Sequence, residues 1–222
     1  MVILGLTGSI GMGKTVAAGM FRRLGIPVHD ADRAVHGLLA KDGAAVAAVA
    51  AAFPGAVRDG RVDRAALAGK VFGDDEALSR LEAIIHPLVR RCERCFLRTA
   101  AAQGRRLVVL AVPLLFETGG ERRCDGVVVV SAGRLIQEAR VLRRSGMTRE
   151  RLEFVLSHQM CDAKKRRRAG FVVATGLGRG FSLRAIKKIV KVARRWRGAK
   201  WPPRGFQPRP RPPGRSRGRR RS

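Results

Sequence analysis

Continuous apolar runs alternate along the chain with segments whose apolar positions recur at helical spacing. Val2 to Thr7 is a short apolar run that meets glycine, and Thr15 to Leu24 then carries Ala17, Met20, Phe21 and Leu24 on one helical face before Gly25 stops it. This predicts strand, loop and helix in succession. Ile26 to Asp30 reads as a second strand. Helical patterns follow over roughly 32–40, 43–53, 64–72 and 75–103, the last interrupted at Pro87. Leu107 to Val112 and Gly126 to Ser131 are apolar throughout rather than alternating, as a parallel sheet covered on both faces requires. A helix over about 134–145 follows, then one capped by Thr148 and running toward Lys165. After a strand at Phe171 to Ala174 comes a last helix capped by Ser182, with Leu183, Ile186, Ile189, Val190 and Ala193 inward. Strands alternating with helices predict a three-layer α/β fold.

Composition narrows the class. With 222 residues, 45% of them hydrophobic and 28% charged, the chain can bury one sizeable core, with a helical insertion in its middle. The longest apolar stretches, 44–53 and 107–116, fall well short of the roughly 20 residues a spanning helix needs, so no membrane segment is expected. The first apolar run lacks a preceding basic region and passes straight into a glycine-rich loop, which argues against a secretory signal and for a cytoplasmic protein. Cys92, Cys95, Cys124 and Cys161 are too few for a disulfide scaffold. The single Cys-x-x-Cys pair has no second pair at zinc-finger spacing, so they are read as structural thiols.

Charge is unevenly placed. The formal net charge is +29, yet all 17 acidic residues lie at or before Asp162. From Arg194 the chain becomes Pro-, Arg- and Gly-rich, so 194–222 is expected to be a disordered basic tail, distinct from a folded domain over 1–193. Such a tail could hold nucleic acid through phosphate neutralisation. With no aromatics beyond Trp196, Trp201 and Phe206, a solvated tail is the favoured reading.

The chemistry starts at Gly8-Ser9-Ile10-Gly11-Met12-Gly13-Lys14-Thr15, a full G-x-x-x-x-G-K-[ST] phosphate loop. Its glycines let main-chain amides close around phosphate oxygens, the ammonium of Lys14 reaches the terminal phosphates, and the Thr15 hydroxyl can ligate Mg2+. About one chain of this composition in a hundred would match by chance, and here the required strand and helix flank the loop. The sequence contains no asparagine, which excludes the usual Asn-Lys-x-Asp guanine reader. No acidic residue directly ends the Leu107–Val112 strand, unlike an ATP-driven motor, so a small-molecule kinase leads. Asp30 and Asp32, at the carboxyl end of the second strand, are candidate bases for an acceptor hydroxyl, with helix capping as the alternative for Asp32. Arg140, Arg143 and Arg144 could fold over a triphosphate.

Gly5 to Thr15, Val28-His29-Asp30-Ala31-Asp32, His86-Pro87-Leu88 and Val112-Pro113-Leu114-Leu115-Phe116-Glu117 together resemble the dephospho-CoA kinase family in content, order and spacing. The similarity covers roughly 1–193, with Lys165 and Arg168 also matching. It implies a P-loop NTPase fold with a five-stranded parallel sheet, a helical substrate-binding insertion over about 32–103 and a lid over about 134–168. The implied activity is ATP-dependent phosphorylation of the ribose 3′-hydroxyl of dephospho-CoA, the last step of coenzyme A biosynthesis. Carried over by position, Gly8, Gly11, Met12, Gly13, Lys14, Thr15 and Val16 would bind ATP, Thr15 would address Mg2+, Asp32 would be the base and Arg140 the lid arginine. His86 and Pro87 would meet the acceptor, unless they are only a helix-breaking pair. Three departures from the family pattern stand out: Val16 replaces a common hydroxyl residue, Gly170 a common aspartate, and Ala174-Thr175-Gly176 an Asp-Asn-rich turn near the adenine side. Another P-loop metabolite kinase, or a nucleic-acid binder with a vestigial loop, are the competing readings.

Overall fold

The structure, a computed structural model, describes residues 1–202 of the 222. β1 (Val2–Thr7) buries every residue and leads through the phosphate loop into α1 (Lys14–Arg23). β2 (Val28–Asp30) passes directly into α2 (Ala31–Leu39), because the Asp30 carboxylate accepts from the Arg33 amide and caps the helix at once. The insertion continues with α3 (Val46–Ala52), a two-stranded hairpin of β3 (Val57–Arg58) and β4 (Arg61–Val62), α4 (Arg64–Val71) and α5 (Asp75–Ala102). β5 (Leu107–Ala111), β6 (Gly126–Ser131), α6 (Arg134–Leu142), α7 (Arg149–Ser157), α8 (Asp162–Arg168), β7 (Phe171–Ala174) and α9 (Arg179–Ala193) complete the described strands and α-helices.

The five long-range strands form one parallel sheet in the order β2-β5-β1-β6-β7. β1 is central, with β5 on one side and β6 on the other, so the chain reverses its direction of winding at the strand that carries the phosphate loop. In open α/β sheets ligands bind at that crevice, outside the carboxyl ends of the strands. α1 and α9 cover one face around Phe21, Val109, Val128 and Ile186, and α5 with Phe116 covers the other around Ile3, Leu110, Leu115 and Val129. The insertion has its own core, in which Leu38, Val49, Phe53, Val62, Leu67 and Ile85 meet. This is the expected three-layer α/β architecture of a P-loop protein with a helical insertion.

Several local expectations change. α5 runs continuously through Pro87, since α2, α3 and α4 all pack along it and hold it across the missing N–H bond. The short hairpin escapes the apolar pattern but was legible as Asp59-Gly60, whose φ angles of 51° and 72° make the turn. Thr148 caps α7 as expected, but α7 stops at Ser157 and α8 starts afresh at Asp162. Ser182 is not a cap. It lies inside α9, where its hydroxyl sits 3.0 Å from the Ala174 carbonyl and 3.1 Å from that of Gly178.

Within the segment expected to lack structure from Arg194, two aromatic side chains instead pack against the cores. Trp196 stacks on Phe171 with ring centroids 5.6 Å apart and sits against the first core, and Trp201 packs against the second. The Ala199 and Lys200 amides donate to Asp125 Oδ1 at 2.7 and 3.2 Å, while Asp125 Oδ2 accepts from the Ile3 amide at 2.7 Å. Two aromatic rings supply apolar burial that the surrounding arginines conceal in composition. The rest of the expected tail, 203–222, lies outside the described residues.

Candidate active site

The loop after β1 is shaped by close approach and by left-handed backbone. A β-carbon on Gly8 would lie 2.5 Å from Val130 Cγ2 and 2.6 Å from the Val130 carbonyl, so the loop can pass the end of β6 only as glycine. Gly11 and Gly13 have φ of 76° and 88°, and Gly13 leads directly into α1, whose positive end faces the loop. Gly8, Gly11, Gly13, Lys14, Thr15 and Val16 line a cavity of about 520 Å³ at this end of the sheet. Met12, expected with them, does not line this cavity: its side chain is buried, and its sulfur accepts from the Ala132 amide at 3.0 Å.

Lys14 Nζ lies 2.7 Å from Asp32 Oδ2, the lysine side chain 10% exposed and the aspartate 54%. The two neighbouring acids have divided their tasks. Asp30 caps α2 and lies 3.5 Å from the Arg22 guanidinium, while Asp32 is left facing the phosphate loop. The capping alternative for Asp32 is thereby removed. Asp32 and Pro113 line the phosphate-loop cavity and also a second, smaller one of about 190 Å³ between α2, α5 and the segment after β5. His86 lines this second cavity together with Arg90, Glu93 and Arg123, whereas Pro87 does not. The site therefore consists of two adjoining chambers with a carboxylate at their junction.

The far wall of the first chamber is organised by Arg140, which donates to the Thr175 carbonyl at 2.8 Å, the Thr175 hydroxyl at 3.2 Å and the Gly11 carbonyl at 3.4 Å. The Thr175 hydroxyl lies 2.8 Å from the Met12 carbonyl, to which it donates. Thr175, one of the departures from the family pattern, thus joins β7 to the phosphate loop. Of the other two arginines, Arg144 lines the chamber and Arg143 does not; Arg179 also lines it. Lys14, Arg140, Arg144 and Arg179 facing one carboxylate make the chamber electropositive, which suits a polyanion.

Two glutamines escaped the sequence reading as site residues. Gln137 donates through Nε2 to the Ile10 carbonyl at 2.8 Å, and Gln159 Oε1 accepts from the Ile10 amide at 3.1 Å. Gln137 is buried on the helix that follows β6, and a polar residue at an inward position of that apolar pattern was the available signal.

A family model described as dephospho-CoA kinase matches residues 2–177. A dephospho-CoA kinase of Paramagnetospirillum magneticum is 66% identical over 166 residues, covering 75% of this chain and 78% of the relative. One from Rhodospirillum rubrum is 55% identical over 205 residues, covering 90% and 97%. A crystal structure of a Thermus thermophilus protein aligns with a TM-score of 0.75 at 38% identity, over 86% of this chain and 96% of that one. The dephospho-CoA kinase of Campylobacter jejuni aligns at 0.58 with 19% identity, over 86% and 96%, which supports the fold alone.

Proposed function

The chain belongs to the dephospho-CoA kinase family, which catalyses the last step of coenzyme A biosynthesis, and on that premise we propose how its residues carry phosphate from ATP to the ribose 3′-hydroxyl of dephospho-CoA. The observation that carries the proposal is the position of Asp32, shared by both chambers and 2.7 Å from Lys14. ATP takes the larger chamber, its phosphates on the amides of 8–16 and its base toward Arg140 and Thr175. The acceptor takes the smaller chamber, with His86 on its wall.

Before substrates arrive, Lys14 and Asp32 neutralise each other. An ion pair this exposed on one side is worth about 1 kcal/mol or less, so it opens readily when phosphate oxygens compete for the ammonium. Lys14 then turns to the terminal phosphates and Asp32 is released to accept the proton of the 3′-hydroxyl. Arg140, held by three oxygens, closes the donor side and limits the water that could intercept the phosphoryl group.

Thr15 lines the same chamber, and one hydroxyl beside phosphates and water is the donor set that Mg2+ accepts, so this residue would hold the ion. When bound, Mg2+ spreads the charge of the β and γ phosphates. No helix among the described residues is long and apolar enough to cross a membrane. The four free cysteines suit a reducing compartment, which supports a cytoplasmic setting for the reaction.

The test is a coupled ADP-release assay with MgATP and dephospho-CoA beside adenosine, shikimate and gluconate as acceptors. Turnover preferring dephospho-CoA, with a 3′-phosphorylated product by mass spectrometry and NMR, supports the assignment. ADP release driven only by a different alcohol refutes it.

A further inference from the structure

Lys165 is a charged residue with no access to solvent. It sits on α8 with its side chain 0% exposed, and its ammonium lies 2.9 Å from Glu117 Oε1, on the segment after β5. The same Glu117 oxygen accepts from the Met160 amide at 2.8 Å, while Glu117 Oε2 is buried without a partner among the described residues. Dehydrating two charges costs several kcal/mol per ion, and a well-packed apolar pair would serve stability as well or better. The pair therefore calls for a reason other than stability.

Its geometry supplies one. The Lys165 ammonium is also 3.4 Å from the Pro113 carbonyl, which accepts the Thr7 hydroxyl at 2.8 Å. Thr7 is the last residue of β1 and directly precedes Gly8, the start of the phosphate loop. Pro113 is, with Asp32, one of the two described residues that line both chambers. Two donors from separate elements thus converge on one carbonyl at the point where donor and acceptor substrates meet. The segment leading to Lys165 is fastened to the loop as well, through Gln159 and the Ile10 amide.

We propose that Lys165 and Thr7 are positioning residues for phosphoryl transfer, acting through the Pro113 carbonyl to hold the wall against which the acceptor sugar faces the phosphate loop. This rests on the two-chamber assignment above and deepens it. Misplacing the wall leaves the amides and Lys14 that bind ATP untouched but moves the acceptor hydroxyl away from in-line approach, a loss that falls on kcat.

The experiment is steady-state kinetics with MgATP and dephospho-CoA on the full chain and on Thr7→Val, Thr7→Ser, Lys165→Met and the Thr7→Val/Lys165→Met double variant, with melting temperatures recorded. Thr7→Val keeps shape but loses the donor, and is expected to lower kcat about fivefold or more with KM for ATP within about threefold of the parent, whereas Thr7→Ser keeps most of the turnover. Lys165→Met is expected to lower kcat more than about tenfold, and the double variant less than the product of the two, because both donors address one carbonyl. Thr7→Val turning over within about twofold of the parent overturns the proposal, as does a loss confined to KM for ATP. If Lys165→Met does not fold, the Thr7 pair alone decides. A parent chain inactive on dephospho-CoA overturns the assignment of the reaction instead, and is read before any variant.

Discussion

Ending the chain after Ala193, where sequence composition places the domain boundary, should damage the fold, while ending it after Pro202 should not. The shorter chain loses Trp196 from its stack on Phe171 and from its place against Gly126, where a ring carbon lies 2.7 Å from the position a β-carbon would take. It also loses Trp201 from the second core and two amide bonds to Asp125. Removing a buried Trp side chain costs about 3–5 kcal/mol, and half-burial of Trp196 reduces this to about 2. Two hydrogen bonds on the exposed side add about 1 kcal/mol each. A loss of about 4 kcal/mol, before the contribution of Trp201 is added, is a large share of the 5–15 kcal/mol typical of a folded domain. Urea unfolding followed by tryptophan-independent circular dichroism measures it, with turnover recorded at matched temperature. The chain ending at Ala193 is expected to unfold at clearly lower urea and to lose activity on warming first. Coincident midpoints for the two truncations and the full chain would refute the reasoning and return 194–202 to the status of an idle tail.

Lys14→Ala and Asp32→Asn are each expected to lower turnover at least about a hundredfold with the circular dichroism spectrum unchanged. Near-normal turnover in Asp32→Asn would remove the base role from that carboxylate. Burial holds the Cys124 thiol at a pKa of about 12, so a thiol reagent in native protein should spare it while modifying Cys95 and Cys161, and all four should react in denaturant. Rapid native modification of Cys124 would contradict that burial. Desolvation lowers the His29 pKa from its ordinary 6.5, partly opposed by Glu93 and Asp30. Below pH 6.5 the unfolded chain therefore binds a proton that the folded chain refuses, so this contribution is full above that pH and is lost on acidification toward the lowered folded value. His29→Phe should flatten the decline in unfolding free energy over that interval, and an unchanged slope would assign the titration elsewhere.

Much of the candidate site was legible because it is written in short spans. The phosphate loop needs glycine, lysine and threonine at fixed offsets, and the apolar runs of β1, β5 and β6 announce a sheet buried on both faces. Local pattern also located Asp30 and Asp32, but could not say which would cap and which would face the loop. That choice depends on the entry angle of α2 and on Lys14, which the fold brings across the crevice. The contacts of Gln137, Gln159 and Thr175 were not legible for the same reason, since each reaches the phosphate loop from a distant part of the chain.

What the amino-acid order determined by itself was therefore the class of fold and the glycine-rich loop with its lysine and threonine, both consequences of spacing within one strand, one turn or one helix. What only the tertiary structure decided were matters of convergence. Asp32 became the carboxylate between two chambers, Lys165 became a buried cation between Glu117 and the Pro113 carbonyl, and two tryptophans of an arginine-rich segment became part of the packing. Periodicity reports which way a side chain faces along its own element. Which atoms meet across elements is set by sheet order and helix packing, and these depend on the whole chain at once.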